Sequence, residues 1–290
     1  MLSTNSAHMT MLSDRYQQVR STTLALISEL QPEDTVVQSM PDVSPTKWHL
    51  AHVTWFFEHF ILQAQAKNYA AFDDEYHYLF NSYYHTVGNM HARPQRGLLS
   101  RPTLANVLDY RRHVDKAMRA LLEERGADDT IAQLTTLGIH HEQQHQELIL
   151  TDIKHVFSCN PLRPAARTSV STTSGIRPRS YSFTNGSSGD SGICRIGAHG
   201  DGFCFDNETP RHDALLHPHR MGNRLVTNGE YREFIHDKGY AKPELWLSDG
   251  WAVIKERDWQ RPLYWDEACE HEFTLGGMRA RTAACCHDRR

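Results

Sequence analysis

Apolar residues recur at helical spacing in the first half of the chain, and this pattern predicts a run of amphipathic helices. A first helix is indicated by the apolar row Leu12, Tyr16, Val19, Thr23, Leu26 and Leu30. A second helix is predicted to open with Ser44 as its N-cap and Pro45 at its first helical position. It continues through WHLAHVTWFFEHFIL.

Two further helices complete the predicted N-terminal region. The third follows Pro102, and its buried row is predicted to be Leu104, Leu108, Val114, Met118 and Leu121. The fourth begins near Asp128 and ends before CNPLRP, where prolines prevent its continuation. Four long helices with one longer connection, residues 66–102, predict a four-helix bundle over residues 1–158.

The pattern changes after the fourth helix. Residues 159–192 are rich in Ser, Thr, Gly and Pro, which predicts a linker. Residues 193–290 show short apolar pieces between glycine turns, with one helix capped by Thr227 and Glu230 and followed by Gly239 at C′. The stretch from about residue 276 has no helical or strand period. The predicted fold class is therefore α+β multidomain, with a helical bundle followed by a mixed α+β domain.

Composition narrows the possible partners and the compartment. The chain carries 31 basic and 35 acidic residues, a net charge of −4, which argues against nucleic acid or an anionic membrane as its partner. No apolar run approaches the ~20 residues that span a bilayer, and the N-terminus lacks a secretory pattern. The six cysteines form no CxxC pair, so we expect reduced thiols in a cytoplasmic protein. Oligomeric state is not predicted.

Candidate chemistry begins with the segment HHEQQHQE. His141 and His145 are four residues apart and therefore lie on one face of a helix. They continue an apolar row that we expect to face the bundle interior: Ile131, Leu134, Leu137, His141, His145 and Leu148. Two imidazoles on a buried face need partners. The pair is predicted to bind a metal ion; the alternative is that both rings hydrogen-bond to other side chains.

A third ligand is expected from the second helix. His52 lies in the middle of an aromatic face, His59 could be a further ligand or a rim residue, and His49 is predicted to point elsewhere. The set His52, His141 and His145 would leave open coordination positions, which suits catalysis. Three imidazoles fit zinc and ferrous iron equally well.

Several motifs, in order, resemble one known family. SPTKWHLAHVTWFFE, NSYYHTVG, RPQRGLLSRPT and HHEQQHQELIL, then DNETPRH, RLVTNGEYREFI and ELWLSDGW, are similar to the ergothioneine-pathway sulfoxide synthases, the hercynine oxygenases. The resemblance covers about residues 12 to 275. It implies a DinB-like bundle joined to a formylglycine-generating-enzyme/sulfatase-modifying-factor type (C-type-lectin-like) domain. It also implies Fe(II) held by His52, His141 and His145.

The resemblance further implies an activity and its substrates. Members use O2 to join the sulfur of cysteine or γ-glutamylcysteine to C2 of the imidazole of hercynine. Three neutral ligands leave positions for the thiolate, the imidazole and O2, and the metal brings the substrates together. A zinc-dependent DinB-like thiol transferase is a competing interpretation.

Other residues take roles from the same resemblance. Arg93 and Arg96 are expected to hold the carboxylate of the thiol substrate, and the alternative is two solvated loop arginines. Gln144 is expected to hydrogen-bond the hercynine imidazole. Glu147 is expected either to orient a ligand histidine or to be a surface glutamate.

Tyr83 and Tyr84 resemble the branch of the family that accepts free cysteine, in which a tyrosine assists at the iron. The alternative is that NSYY anchors a long loop by aromatic packing. The thiol substrate therefore stays open between cysteine and γ-glutamylcysteine.

The sequence departs from the family near its end. Members continue further, and GGMRARTAACCHDRR matches neither the family nor a usual domain ending. We therefore expect a C-terminally truncated member with an incomplete second domain. A metal-binding remnant without activity is the corresponding alternative.

Overall fold

The computed structural model describes residues 2–82, 88–168, 183–185, 192–200 and 202–281 of the chain. The chain divides into two compact units, residues 1–169 with 274–277 and residues 170–273 with 278–290. Among the helices of the described ranges, none is long and apolar enough to cross a membrane.

The first unit contains the predicted bundle. A π-helical turn, Glu58–Leu62, joins the helix Thr46–Phe57 to the short helix Gln63–Gln65. The helical path is therefore continuous from residue 46 to residue 65. The helices of its described residues are α1 (Leu2–Leu26), α2 (Thr46–Phe57), α3 (Gln63–Gln65), α4 (Tyr76–Phe80), α5 (Leu104–Arg125) and α6 (Asp129–Cys159).

Helix packing follows the predicted apolar rows. Helices α1 and α2 each pack against both α5 and α6. The middle parts of the predicted rows of α1 and α5 are buried, including Tyr16 at 1% and Met118 at 0% exposure, whereas one end of each row is partly buried: Leu26, Leu30, Leu104 and Leu108. Burying one such large apolar side chain contributes roughly 1.5–3 kcal/mol, so this shared core is the main source of bundle stability. The four-helix prediction is confirmed.

The start of α2 differs from the prediction. The helix begins at Thr46 with Pro45 in the cap position, and no side chain caps it. Ser44 is therefore not the N-cap. Its hydroxyl accepts a hydrogen bond from Arg96 Nη1 at 2.9 Å, and its backbone N–H donates to Asp152 at 2.8 Å. These long-range partners hold Ser44 away from the helix end.

Helix α6 is rotated relative to the prediction. Its most buried positions include Ile131, Ile139 and Glu142, whereas Leu148 is 42% exposed. The buried row thus lies one residue, about 100° of helical rotation, from the predicted row. His141 and His145 consequently lie on the flank of the buried face, where they are partly buried.

The cause of this rotation is a buried charge network around Glu142. Its carboxylate accepts hydrogen bonds from Arg20 Nη1 at 2.9 Å, Arg111 Nη2 at 3.0 Å and the Thr23 hydroxyl at 2.6 Å. Burial alone would raise the pKa of Glu142, but Arg20 and Arg111 outweigh it and lower that pKa to about 2. A paired carboxylate can occupy the core that an unpaired one could not.

The second unit and the adjoining hairpin are a mixed α+β arrangement, as predicted. The described helices and strands are β1 (Phe183–Asn185), β2 (Gly192–Ile196), β3 (His212–Leu216), β4 (Arg220–Gly222), α7 (Asn228–His236), α8 (Ser248–Arg257), β5 (His271–Thr274) and β6 (Gly277–Ala280). Strand β1 pairs with β4, β2 pairs antiparallel with β3 so that Ile193 lies opposite Leu215, and β5 pairs with β6.

Three details of this unit correct the predictions. The Thr227–Glu230 capping box is confirmed, but the left-handed residue after α7 is Lys238 (φ 59°) instead of Gly239. Gly239 is needed for a different reason, because a Cβ there would lie 2.2 Å from the Phe234 ring. A second helix, α8, and a strand, β6, lie where no helix and no strand was predicted. Residues 169–182 and 186–191 of the predicted linker, and residues 282–290, lie outside the described residues.

Candidate metal centre

Three histidines converge inside the bundle. One ring nitrogen from each of His52, His141 and His145 lies within 4.8 Å of the other two. His52 comes from α2, and the i, i+4 pair comes from neighbouring turns of α6. Two nitrogens bound at ~2.0–2.1 Å to one metal are roughly 3 Å apart. Small side-chain adjustments would therefore bring all three within reach of a single ion.

His52 is fixed by stacking and by one backbone hydrogen bond. Its ring lies between those of Trp48 and Trp55, at 4.6 Å and 5.7 Å between centroids and nearly parallel to both. Its Nδ1 lies 2.6 Å from the Phe80 carbonyl oxygen, so Nδ1–H donates to that oxygen. The Nε2 lone pair is consequently available for a metal.

His145 is held by a second histidine. Its Nδ1 lies 2.8 Å from Nδ1 of His49, whose Nε2 lies 3.0 Å from Oδ2 of Asp152. His49 is 2% exposed, so the prediction that it points away from the site is wrong. Asp152 was not singled out from the sequence, although it lies seven residues after His145 and hence on the same side of α6. That spacing is the signal that could have identified it.

His141 lacks such an anchor. Its ring packs against Phe56 at 4.9 Å between centroids. Its Nδ1 is buried and has no hydrogen-bond partner among the described residues. A buried polar atom without a partner is costly. Coordination to a metal would offset this cost, so His141 fits a metal ligand better than a structural histidine.

The electrostatics of the cluster favour a cation. Burial, reinforced by the neighbouring His141, holds the pKa of His52 well below its ordinary value. Burial likewise lowers the pKa of His141 to about 4. Burial, then His52 and His49, hold the pKa of His145 well below the usual range. All three rings are thus neutral near pH 7, the form in which imidazole binds metals.

Arg96 extends the stack on the outer side of Trp48. Its guanidinium lies 3.3 Å from the centre of the Trp48 ring, and its two amino groups donate to the hydroxyls of Ser44 and Ser82 at 2.9 Å each. Arg96 is 3% exposed, so the alternative of a solvated loop arginine is wrong for it. Arg93 is half-buried, and its guanidinium donates to the Asp42 carbonyl.

The remaining predicted residues are not part of the group of three or lie outside the described residues. Gln144 and Glu147 are exposed on α6. His59 stacks on Trp55 at 5.3 Å and contacts Gln63, and it is not part of the group of three. Tyr83 and Tyr84 lie outside the described residues.

The chain is similar to a known domain and to several curated proteins. Residues 15–149 match the model of the DinB superfamily. Three curated relatives are hercynine oxygenases. The one from Mycolicibacterium smegmatis is 28% identical over 262 residues, which are 88% of this chain and 57% of that protein. That from Mycolicibacterium thermoresistibile is 25% identical over 268 residues, 89% of this chain and 55% of the relative.

The third relative, from Mycobacterium tuberculosis, is 26% identical over 247 residues, which cover 85% of this chain and 55% of that protein. The chain thus spans just over half the length of the curated relatives it matches. The similarity nevertheless runs through both units of the chain, in agreement with the motif resemblance. Residues 15–149 are therefore similar to the DinB superfamily, and most of the chain is similar to hercynine oxygenases.

Proposed function

We propose that this chain forms the iron-binding part of a sulfoxide synthase of ergothioneine biosynthesis. The proposed reaction uses O2 to join the sulfur of cysteine or γ-glutamylcysteine to C2 of the imidazole of hercynine. The observation that carries the proposal is the convergence of His52, His141 and His145 from two helices. The curated names of the relatives give the substrate class.

In this proposal the three histidines supply only neutral nitrogen ligands from one side. When bound, ferrous iron would provide open positions for the thiolate, the imidazole and O2 and a common template for them. The chain's own residues hold His52 in a fixed orientation and exclude water from it. The Trp48 and Trp55 rings enclose His52, and the Phe80 carbonyl fixes its orientation before any substrate arrives.

The proposal also includes contacts to the substrates. The proposed contacts to the carboxylate of the thiol substrate are Arg93 and Arg96. Arg93 also donates to the Asp42 carbonyl, and Arg96 donates to two serine hydroxyls and stacks on Trp48. Arg96 also shapes the site from behind Trp48. Gln144 as a contact to hercynine, and Tyr83 and Tyr84 as catalytic residues, stay predictions, as does a cytoplasmic location.

A zinc-dependent thiol transferase is the second candidate function. The observation in its favour is the ligand set itself, because three neutral imidazoles suit zinc as well as ferrous iron. The two candidates differ in the metal retained and in the need for O2, so one set of measurements separates them.

The test is metal analysis and turnover on the chain as it exists. We expect anaerobically purified protein to bind one Fe(II) and, with O2, hercynine and one of the two thiols, to yield a sulfoxide detectable by mass spectrometry. His145→Ala should lose stoichiometric iron and all product, whereas His113→Ala, at an exposed position of α5, should keep both. Stoichiometric iron retained by His145→Ala would contradict the ligand assignment. Iron uptake without product would contradict the oxygenase activity of this chain.

A further inference from the structure

A chain of three hydrogen bonds leads from the histidine cluster to the opposite helix and back. His145 on α6 contacts His49 on α2 at 2.8 Å, and His49 contacts Asp152 on α6 at 3.0 Å. The same Asp152 oxygen accepts the backbone N–H of Ser44 at 2.8 Å. His49 is 2% and Asp152 is 8% exposed, so the contacts are shielded from water.

The direction of these hydrogen bonds follows from their chemistry. The Asp152 oxygen already accepts from Ser44 and, as a carboxylate oxygen, accepts from His49 as well, which places a hydrogen on His49 Nε2. In this Nε2–H tautomer of His49, Nδ1 carries only a lone pair. The hydrogen between the two rings therefore belongs to Nδ1 of His145, and Nε2 of His145 carries the lone pair that can bind a metal.

The three ring positions are therefore anchored unequally. His52 donates to a backbone carbonyl, which is fixed by the fold of the chain near Phe80. His141 has a buried Nδ1 without a hydrogen-bond partner in the described part of the chain. His145 alone is oriented through a side-chain relay that ends in a carboxylate, and this relay sets both its ring direction and its tautomer.

We propose that His49 and Asp152 are a positioning pair for His145. They fix its Nε2 toward the metal and, through the carboxylate, make it a stronger electron donor. The proposal deepens the proposed function and rests on the three-histidine metal site. Partners of this kind typically change metal affinity by ~10–100-fold when they are removed.

The experiment uses Co(II), whose visible absorption reports the ligands around it, with affinity measured by competition against a chelator. We expect His49→Phe, which keeps a planar ring but removes both nitrogens, to weaken Co(II) binding ~10–100-fold and to alter the absorption bands. His49→Gln can donate to Asp152 and accept from His145, so it should recover most of the affinity. Asp152→Asn keeps an acceptor without the charge and should show a smaller loss than His49→Phe.

Two controls separate positioning from a general loss of structure. His113→Phe, an exposed histidine of α5, should bind Co(II) as the wild type does. Thermal unfolding of the metal-free variants should show that His49→Gln and Asp152→Asn are folded. This matters because His49→Phe alone could lose binding by unfolding.

Each other outcome is decisive. If His49→Phe and Asp152→Asn bind Co(II) with wild-type affinity and spectrum while His145→Ala binds none, the positioning pair is overturned and the metal site stands. If His49→Gln is as weak as His49→Phe, the hydrogen-bond relay is overturned. If His145→Ala binds as tightly as the wild type, the metal site itself is overturned and the pair with it.

Discussion

The two units of this protein bury their side chains in different ways. The first unit has one continuous cluster of buried apolar residues, in which Trp55 and Phe57 are 1% and 0% exposed. The described residues of the second unit include far fewer buried apolar side chains. Its buried apolar side chains, among the described residues, are Ile254, Trp265, Cys269 and Phe273.

The difference extends to charge. Glu142 of the first unit is fully buried and shares its carboxylate between Arg20 and Arg111. The principal ion pair of α7 in the second unit, Arg224 with Glu230, lies at a helix cap, where the Glu230 side chain is 35% exposed. A charge removed from a large core leaves its partners unpaired away from water, whereas solvent compensates for a charge removed at a surface. Removing the Glu142 carboxylate and removing the Glu230 carboxylate should therefore have unequal effects.

The largest effect is expected from removing the buried carboxylate. Glu142→Ala leaves two buried guanidinium groups without their shared partner and should lower the free energy of unfolding by ~3–5 kcal/mol. Denaturant unfolding followed by circular dichroism measures this change. Glu124→Ala, at an exposed position of α5, should stay within ~0.5 kcal/mol of the wild type. If Glu142→Ala lowered the free energy of unfolding by less than ~1 kcal/mol, the expected contrast between buried and exposed carboxylates would be contradicted.

The second-largest effect is expected when the unfolding free energy is measured at acidic pH. The pKa of Glu142 is about 2 when folded, against ~4.3 for an unperturbed glutamate. Its stabilising contribution is therefore fully present above about pH 4.3 and is lost as the pH falls toward 2. Unfolding free energies measured from pH 6 down to pH 2.5 should decline steeply in this window for the wild type and less steeply for Glu142→Gln.

Glu230 provides the comparison for this experiment. Its hydrogen bonds from Arg224 and Thr227 also lower its pKa to about 2. Because its side chain is 35% exposed, solvent screens much of that interaction. Glu230→Gln should therefore leave the acid slope near that of the wild type. Equal slopes for Glu142→Gln and Glu230→Gln would show that burial does not separate the two carboxylates.

The smallest expected effect lies in the second unit, at the start of α7. The Thr227 hydroxyl accepts from the Glu230 N–H at 3.3 Å, so Thr227→Ala should cost ~1 kcal/mol of local stability. Faster hydrogen exchange of the α7 amides would measure it, while the amides of α5 and α6 should be unchanged. Thr227→Ser should restore protection. A general acceleration in both units would contradict the local role of this cap.

Local patterns predicted much of this molecule. The apolar period predicted the four long helices, although α1 begins ten residues before its first predicted position. The i, i+4 spacing of His141 and His145 identified two members of the cluster. Such features depend on residues within one or two turns of each other. The Thr227–Glu230 box is predictable for the same reason, because all of its atoms lie within one helical turn.

What the sequence could not predict depends on distant partners. The rotation of α6 follows from the pairing of Glu142 with Arg20, 122 residues away along the chain. No local pattern distinguishes such a glutamate from a surface one. His49 was misassigned for the same reason, since its two partners both lie on α6, about 100 residues later. In the second unit, β1 pairs with β4 across a long separation, and strands of three residues carry too little pattern to be recognised.

The stacking of Trp48 and Trp55 around His52 has a spectroscopic consequence. The chain has six tryptophans, and these two are the ones in the bundle, while Trp246, Trp251, Trp259 and Trp265 belong to the second unit. Both units therefore contribute to the intrinsic tryptophan fluorescence, the first through two indoles and the second through four. Replacing the four later indoles by phenylalanine would leave an emission signal that originates entirely beside the imidazole cluster.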